Sequence, residues 1–144
     1  MLIGEYTHTL DEKKRISLPV KFRKELGKKI IIAPGLDKCL FIFTLNEWKS
    51  VSEKLSAMSF LKSDPRSFNR YLFGQASEVD IDGSGRILIP EILREKIGIL
   101  AKAVFVGVSN RVEIWNDVVW QKSKLDIEKN ADSLAEKLGE IGIL

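Results

Sequence analysis

An arginine follows an aspartate at a spacing of four in two places, Asp11 to Arg15 and Asp82 to Arg86. A guanidinium presents a planar fork of N–H donors that matches a phosphate or the O6 and N7 edge of guanine. The same fork can pair with the aspartate before it and brace the turn between them, and the two roles can coexist. Other constellations carry less chemistry. Glu78, Asp80 and Asp82 fall on one face of an expected strand, where carboxylates can do acid–base work or hold a divalent cation. The matching positions earlier in the chain are Thr7, Thr9 and Asp11, however, so no metal site is expected. His8 is the single histidine and alternates with Tyr6 and Leu10, which reads as a partly buried strand residue. Cys39 is the single cysteine, which excludes an internal disulfide and makes it a small core residue. Gly83 and Gly85 have no following Gly-Lys-Ser or Gly-x-x-Gly, so they are turn glycines and not a phosphate loop. No nucleophile–base arrangement exists to build around one His and one Cys, so neither an enzyme nor a cofactor is expected.

The elements that must position the arginines occur twice. Residues Asp11 to Gly27 read DEKKRISLPVKFRKELG, and Asp82 to Gly98, 71 positions later, read DGSGRILIPEILREKIG. Six positions are identical without a gap: Asp11/Asp82, Arg15/Arg86, Ile16/Ile87, Pro19/Pro90, Arg23/Arg94 and Gly27/Gly98. Chance would give about one. With one extra residue in the second copy the match runs on, so that Leu40 to Phe43 face Val112 to Trp115, and Trp48 faces Trp120. Two copies are too few for a solenoid and predict instead a single fold with a pseudo-two-fold axis.

Glu78 to Ile81 and Arg86 to Ile89 alternate polar and apolar, the period of half-buried strands. Between them Asp82-Gly83-Ser84-Gly85 has turn chemistry, which predicts a β-hairpin with Arg86 at the exit. Asp11, Asp82, Gly83 and Gly85 are accordingly the expected turn-bracing residues. Pro90 opens a short helix that Gly98 stops, and strands over Ala103 to Val108 and Val112 to Trp115 close the unit. The first copy follows the same plan. Between the copies Thr44 to Glu47 fits a capping box before an apolar stripe of Trp48, Val51, Leu55 and Met58, and Asp64-Pro65 starts a second helix that Gly74 ends. Asn116 or Asp117 caps a helix through Leu125, and Ser133 begins a last one. The expected fold is α+β, with two tandem β-hairpin/short-helix/strand repeats around a pseudo-two-fold, barrel-like core. The expected segments are residues 1–48 (first repeat), 49–76 (helical linker), 77–120 (second repeat) and 121–144 (C-terminal helices).

Charge separates the copies. Residues 11–29 hold eight Lys or Arg and three acids, a local +5, while residues 82–100 hold three of each. With the whole chain at +3, positive charge is concentrated at Lys13, Lys14, Arg15, Lys21, Arg23, Lys24, Lys28 and Lys29. Such a cluster attracts a phosphate backbone through Coulomb energy and counterion release, although a solvated helix face gives the same composition. Hydrophobic content of 44% suits a folded core, and no apolar run approaches the roughly 20 residues of a membrane helix. The start has neither the basic region nor the apolar stretch of a signal peptide, so a cytoplasmic address is expected.

Asp11-Glu12-Lys13-Lys14-Arg15 and Asp82-Gly83-Ser84-Gly85-Arg86, each followed by a strand and a proline, resemble the twin D-x-x-x-R signature of the MraZ family, relatives of the AbrB and SpoVT swapped-hairpin DNA binders. The resemblance extends over Tyr71 to Ala76 and Val112 to Trp115. It implies an AbrB-like double-split β-α-β fold and a nucleoid-associated transcriptional regulator. It further implies assembly into a ring-like homo-oligomer and binding to double-stranded DNA at direct repeats upstream of its own operon, the cell-division and cell-wall gene cluster. The DNA-facing residues are then Arg15, Arg86, Lys13, Lys14, Lys21, Arg23, Lys24 and Lys28. One position departs from the family pattern. Lys14 stands where Gly85 stands in the second copy, and because a lysine at positive φ costs about 1 kcal/mol, the first turn is expected to take another shape. The charge asymmetry suggests that the first copy leads DNA engagement and the second completes the core. A module that binds another protein through its basic face is the competing reading.

Overall fold

The computed structural model describes residues 1–143. Its elements run β1 (Leu2–Thr9), β2 (Arg15–Ser17), α1 (Val20–Leu26), β3 (Lys29–Pro34), β4 (Leu40–Thr44), α2 (Leu45–Ser56), α3 (Ser63–Gly74), β5 (Ser77–Asp80), β6 (Arg86–Leu88), α4 (Glu91–Lys96), β7 (Lys102–Ser109), β8 (Val112–Asn116) and α5 (Asp117–Glu140). The α+β expectation holds. Eight strands form a six-stranded antiparallel sheet, in the order β1-β7-β8-β4-β3-β5, and a separate two-stranded ribbon of β2 with β6.

The duplication in sequence becomes a two-fold in register. At the sheet centre Leu40 faces Ile114, Phe41 faces Glu113 and Ile42 faces Val112, which maps onto itself when the copies are exchanged. The ribbon does the same about Ile16 and Ile87, with Arg15 facing Leu88 and Ser17 facing Arg86.

The two strands joined by each Arg-bearing turn do not pair with each other, which corrects the hairpin expectation. β1 pairs with β7 of the second copy, β5 pairs with β3 of the first, and β2 and β6 pair across the copies. Period-two alternation reports that a segment is a half-buried strand and is silent about its partner. The swapped pairing agrees with the relationship that the family resemblance implied.

One core serves both copies. Ile16, Leu18, Phe22 and Leu26 meet Ile87, Ile89, Leu93 and Ile97 under the ribbon and the short helices, and Ile30, Ile32, Leu40, Ile42, Phe105, Val112 and Ile114 supply the sheet side. At the β1–β7 crossing Gly4 faces Gly107, and a Cβ on Gly107 would come within 2.6 Å of the Leu2 carbonyl carbon. Only a residue without a side chain lets the two backbones approach so closely.

Thr44 caps α2, its Oγ1 accepting the Glu47 N–H at 3.1 Å, and Trp48 packs its ring 5.6 Å from Phe43 and 5.4 Å from Phe73, holding α2 and α3 to β4. Asn116 is the cap of α5, accepting from the Val118 and Val119 N–H groups. α5 continues through Ser133 to Glu140, so the two expected C-terminal helices are one. No Gly or Pro interrupts it before Gly139, and the polar Asn130 turns its Nδ2 back to the Asp126 carbonyl at 2.8 Å instead of starting a new helix.

Candidate nucleic-acid interface

Each turn is built by its aspartate. Asp11 Oδ1 accepts the N–H groups of Lys13 and Arg15, both at 2.9 Å, while its Oδ2 accepts Arg15 Nε at 2.9 Å. Asp82 repeats this with Ser84, Arg86 and Arg86 Nε, at 2.9 Å each. Backbone bonds close both turns alike, Asp11 N–H to Arg15 and Lys14 N–H to Asp11, Asp82 N–H to Arg86 and Gly85 N–H to Asp82. The backbone N–H bonds to each carboxylate, led by that of Arg15 or Arg86, hold both aspartates below the usual carboxylate range. The Asp–Arg spacing thus forms the same set of hydrogen bonds in both copies.

Lys14 does not reshape the first turn, contrary to expectation. It adopts φ 62°, against 79° at Gly85, and the hydrogen bonds around it are those of the second turn. Five bonds organised by Asp11 outweigh the roughly 1 kcal/mol cost of a left-handed lysine.

The ribbon decides where the arginines point. Facing residues on adjacent strands share a side, so Arg15, Leu88, Ser17 and Arg86 lie on one face while Ile16 and Ile87 lie on the other. Ile16 and Ile87 are buried, and Leu88 is exposed. Both arginines thus sit on the outer face, diagonal across a two-stranded ribbon. Asp11 Oδ2 lies 2.9 Å from Arg15 Nε and 3.7 Å from Arg86 Nη1, so one carboxylate holds the two forks together. Each arginine side chain is about one-third exposed and keeps N–H donors free of Asp.

Lys13 and Lys14 extend the exposed positive surface at the first turn. Lys21 and Lys24 are exposed on α1, with Lys28 exposed after it. Arg23 is different. It is turned inward, its Nε donating to the Leu18 carbonyl at 2.9 Å and its guanidinium lying over Gly85, where an added Cβ would sit 2.4 Å from it. Of the acidic triad, Asp82 is drawn into its turn, while Glu78 and Asp80 flank Lys29 at 3.7 and 3.8 Å. His8 packs edge-on against Phe105, half-buried, and burial, with the Arg23 charge, lowers its pKa. Cys39 is buried, and burial pushes its thiol up to about 12.

Ser17 and Leu88 were not among the sequence-derived candidates, although they complete the outer face. Period-two counting from Arg15 and Arg86 reaches both. That they face the opposite arginine depends on the cross-copy pairing, which no local pattern encodes.

A family model described as "MraZ protein, putative antitoxin-like" matches residues 1–71 and again 72–138. Among relatives, "Transcriptional regulator MraZ" of Caldanaerobacter subterraneus subsp. tengcongensis is 44% identical, that of Alkaliphilus oremlandii 45% and that of Syntrophomonas wolfei 41%. Each alignment covers 99% of this chain and all of the relative. With its twin Asp–Arg turns, its palindromic strand order and relatives matched from end to end, the chain belongs to the MraZ family.

Proposed function

We propose that the chain is a sequence-specific DNA-binding transcriptional regulator that presents the β2–β6 ribbon to the DNA major groove. The observation that carries this is the pair of outward guanidiniums on one ribbon, pre-positioned by Asp11 and Asp82. A two-stranded ribbon fits the major groove, and an arginine fork reads guanine there. Pre-positioning lowers the side-chain entropy that binding must spend. Lys13, Lys14, Lys21, Lys24 and Lys28 supply phosphate attraction on the first copy's side, so that Arg15 leads and Arg86 follows.

The finer reading is that copies assemble into a ring-like homo-oligomer on direct repeats upstream of the chain's own operon, the cell-division and cell-wall cluster, in the nucleoid-bearing cytoplasm. One ribbon makes few contacts, and linked ribbons on repeated boxes raise the effective concentration. The exposed apolar residues Phe60 and Leu61 between α2 and α3, and Leu125, Leu134 and Leu138 along α5, support self-association. Among the described residues no helix is long and apolar enough to cross a membrane.

The test is fluorescence anisotropy with the native upstream DNA and a scrambled duplex over a salt series. Arg15→Ala and Arg86→Ala are expected to cost about 1–3 kcal/mol each and to shrink the gap between the duplexes, with Arg15→Ala the larger loss. Lys28→Ala is expected to weaken both duplexes alike. Binding that ignores salt and both arginines would overturn the reading.

A further inference from the structure

Arg94, on α4, is the one buried charged residue among those described, at 7% exposure. Its side chain donates no hydrogen bond, and no carboxylate stands within 4.0 Å of its guanidinium among the described residues. Its stem is buried while its guanidinium nitrogens keep contact with solvent in the clefts beside them, so the fork is free to take an anion there.

The other copy shows how it came to be free. Its counterpart Arg23 donates to Leu18 and lies over the bare Cα of Gly85, and the ribbon is closed there by Leu18 N–H to the Gly85 carbonyl at 2.9 Å. At the opposite end the equivalent positions are Ile89 and Lys14, and neither bond is repeated. By the pseudo-two-fold, the Lys14 Cβ corresponds to the one that would meet the Arg23 guanidinium at Gly85. Arg94 faces two clefts instead, of about 630 and 370 Å³, and Lys14 lines both with it. Lys13 joins the larger one. Of the carboxylates there, Glu78 and Asp80 are engaged by Lys29, leaving Glu91; Glu95 borders the smaller cleft.

We propose that Arg94 and Lys14 form a seat for one phosphate oxyanion at the open end of the ribbon. An arginine fork binds two phosphate oxygens and a lysine a third, with Lys13 adding field. The phosphate comes either from the DNA backbone beside the ribbon, in which case the inference rests on the DNA reading above, or from a free phosphate ion.

The full-length protein, Arg94→Met and Lys14→Gly are to be melted in chloride and in inorganic phosphate at equal ionic strength and pH, and their DNA affinities followed against salt. Lys14→Gly returns the seat to the form seen at Gly85 while keeping Arg94. Wild type is expected to melt roughly 3–5 °C higher in phosphate at tenfold its dissociation constant, and both variants to lose that response. In chloride, Arg94→Met is expected to melt no lower than wild type, since it removes an unpartnered charge. If the DNA backbone is the source, the slope of log affinity against log salt becomes shallower by about 0.9 in Arg94→Met. A lost phosphate response with an unchanged slope assigns a free phosphate. A wild type that binds no DNA refutes the DNA reading, and the phosphate arm still decides the seat. The proposal is overturned if Arg94→Met leaves both the phosphate response and the salt slope unchanged, or if it melts as far below wild type in chloride as Arg23→Met.

Discussion

Replacing Gly85 with alanine tests how the turn, the ribbon and α1 are tied together. Gly85 sits at φ 79°, where an L-residue costs about 1–2 kcal/mol, less about 0.4–1 kcal/mol for the stiffer unfolded chain. Backbone strain alone thus predicts a loss of about 1 kcal/mol. The new Cβ would lie 2.4 Å from both Nε and the central carbon of the Arg23 guanidinium, so Arg23 must leave its place and give up the Leu18 carbonyl at 2.9 Å. A hydrogen bond from a charged donor to a buried carbonyl contributes about 1.5–3 kcal/mol. The sum is about 2–4 kcal/mol, or roughly 6–15 °C in melting temperature for a chain of this size. The assay is urea unfolding of wild type, Gly85→Ala, Arg23→Ala and the double variant. In the Arg23→Ala background the glycine change is expected to cost only about 1 kcal/mol, a coupling of about 1.5–3 kcal/mol. Additive losses would refute the contact between the second turn and the first copy's helix.

Gly107→Ala drives a Cβ to 2.6 Å from the Leu2 backbone and must push β1 off β7; a loss of about 2–3 kcal/mol in urea unfolding is expected, and an unchanged midpoint would refute the close crossing. His8 has a folded pKa below its usual 6.5, so the folded state holds fewer protons than the unfolded chain; its contribution is complete above pH 6.5 and falls away as pH drops through the folded value. Wild type should therefore lose melting temperature relative to His8→Gln between pH 7.5 and 5, and parallel curves would exclude the effect. Asp11 and Asp82 are also depressed, so their bracing is complete above the usual carboxylate value of 3.8 and disappears as pH falls through the folded values. The stability gap between wild type and Asp11→Asn should close in acid, and a gap that persists at pH 2 would show that the carboxylate charge is not what holds the turn.

Local chemistry was legible where neighbours along the chain decide it. The Asp–Arg brace closes within five residues, Thr44 caps its own helix, and Pro19, Pro90, Gly27 and Gly98 bound theirs, so these elements follow from spacing and backbone preference. The first turn shows the limit of that reasoning: Lys14 argued for a different shape on φ alone, while the hydrogen bonds that Asp11 collects set the outcome. α5 shows it again, because Ser133 is an acceptable helix start that a continuing helix simply absorbs.

By itself the sequence determined that the chain is a duplication, that each copy holds an arginine at a braced turn, and that positive charge gathers in the first copy. Only the tertiary structure decided that the turns' strands are exchanged between the copies, which places Arg15 and Arg86 on a single outer face with Asp11 between them. It also decided that Arg23 and Arg94, identical in the repeat, have different fates, one bonded over a glycine and the other, its stem buried, without a partner among the described residues and beside a lysine. Alternation and charge are properties of one segment. Strand pairing and desolvation depend on which distant segment comes to lie alongside, and a near-symmetric pattern leaves that to the shared core.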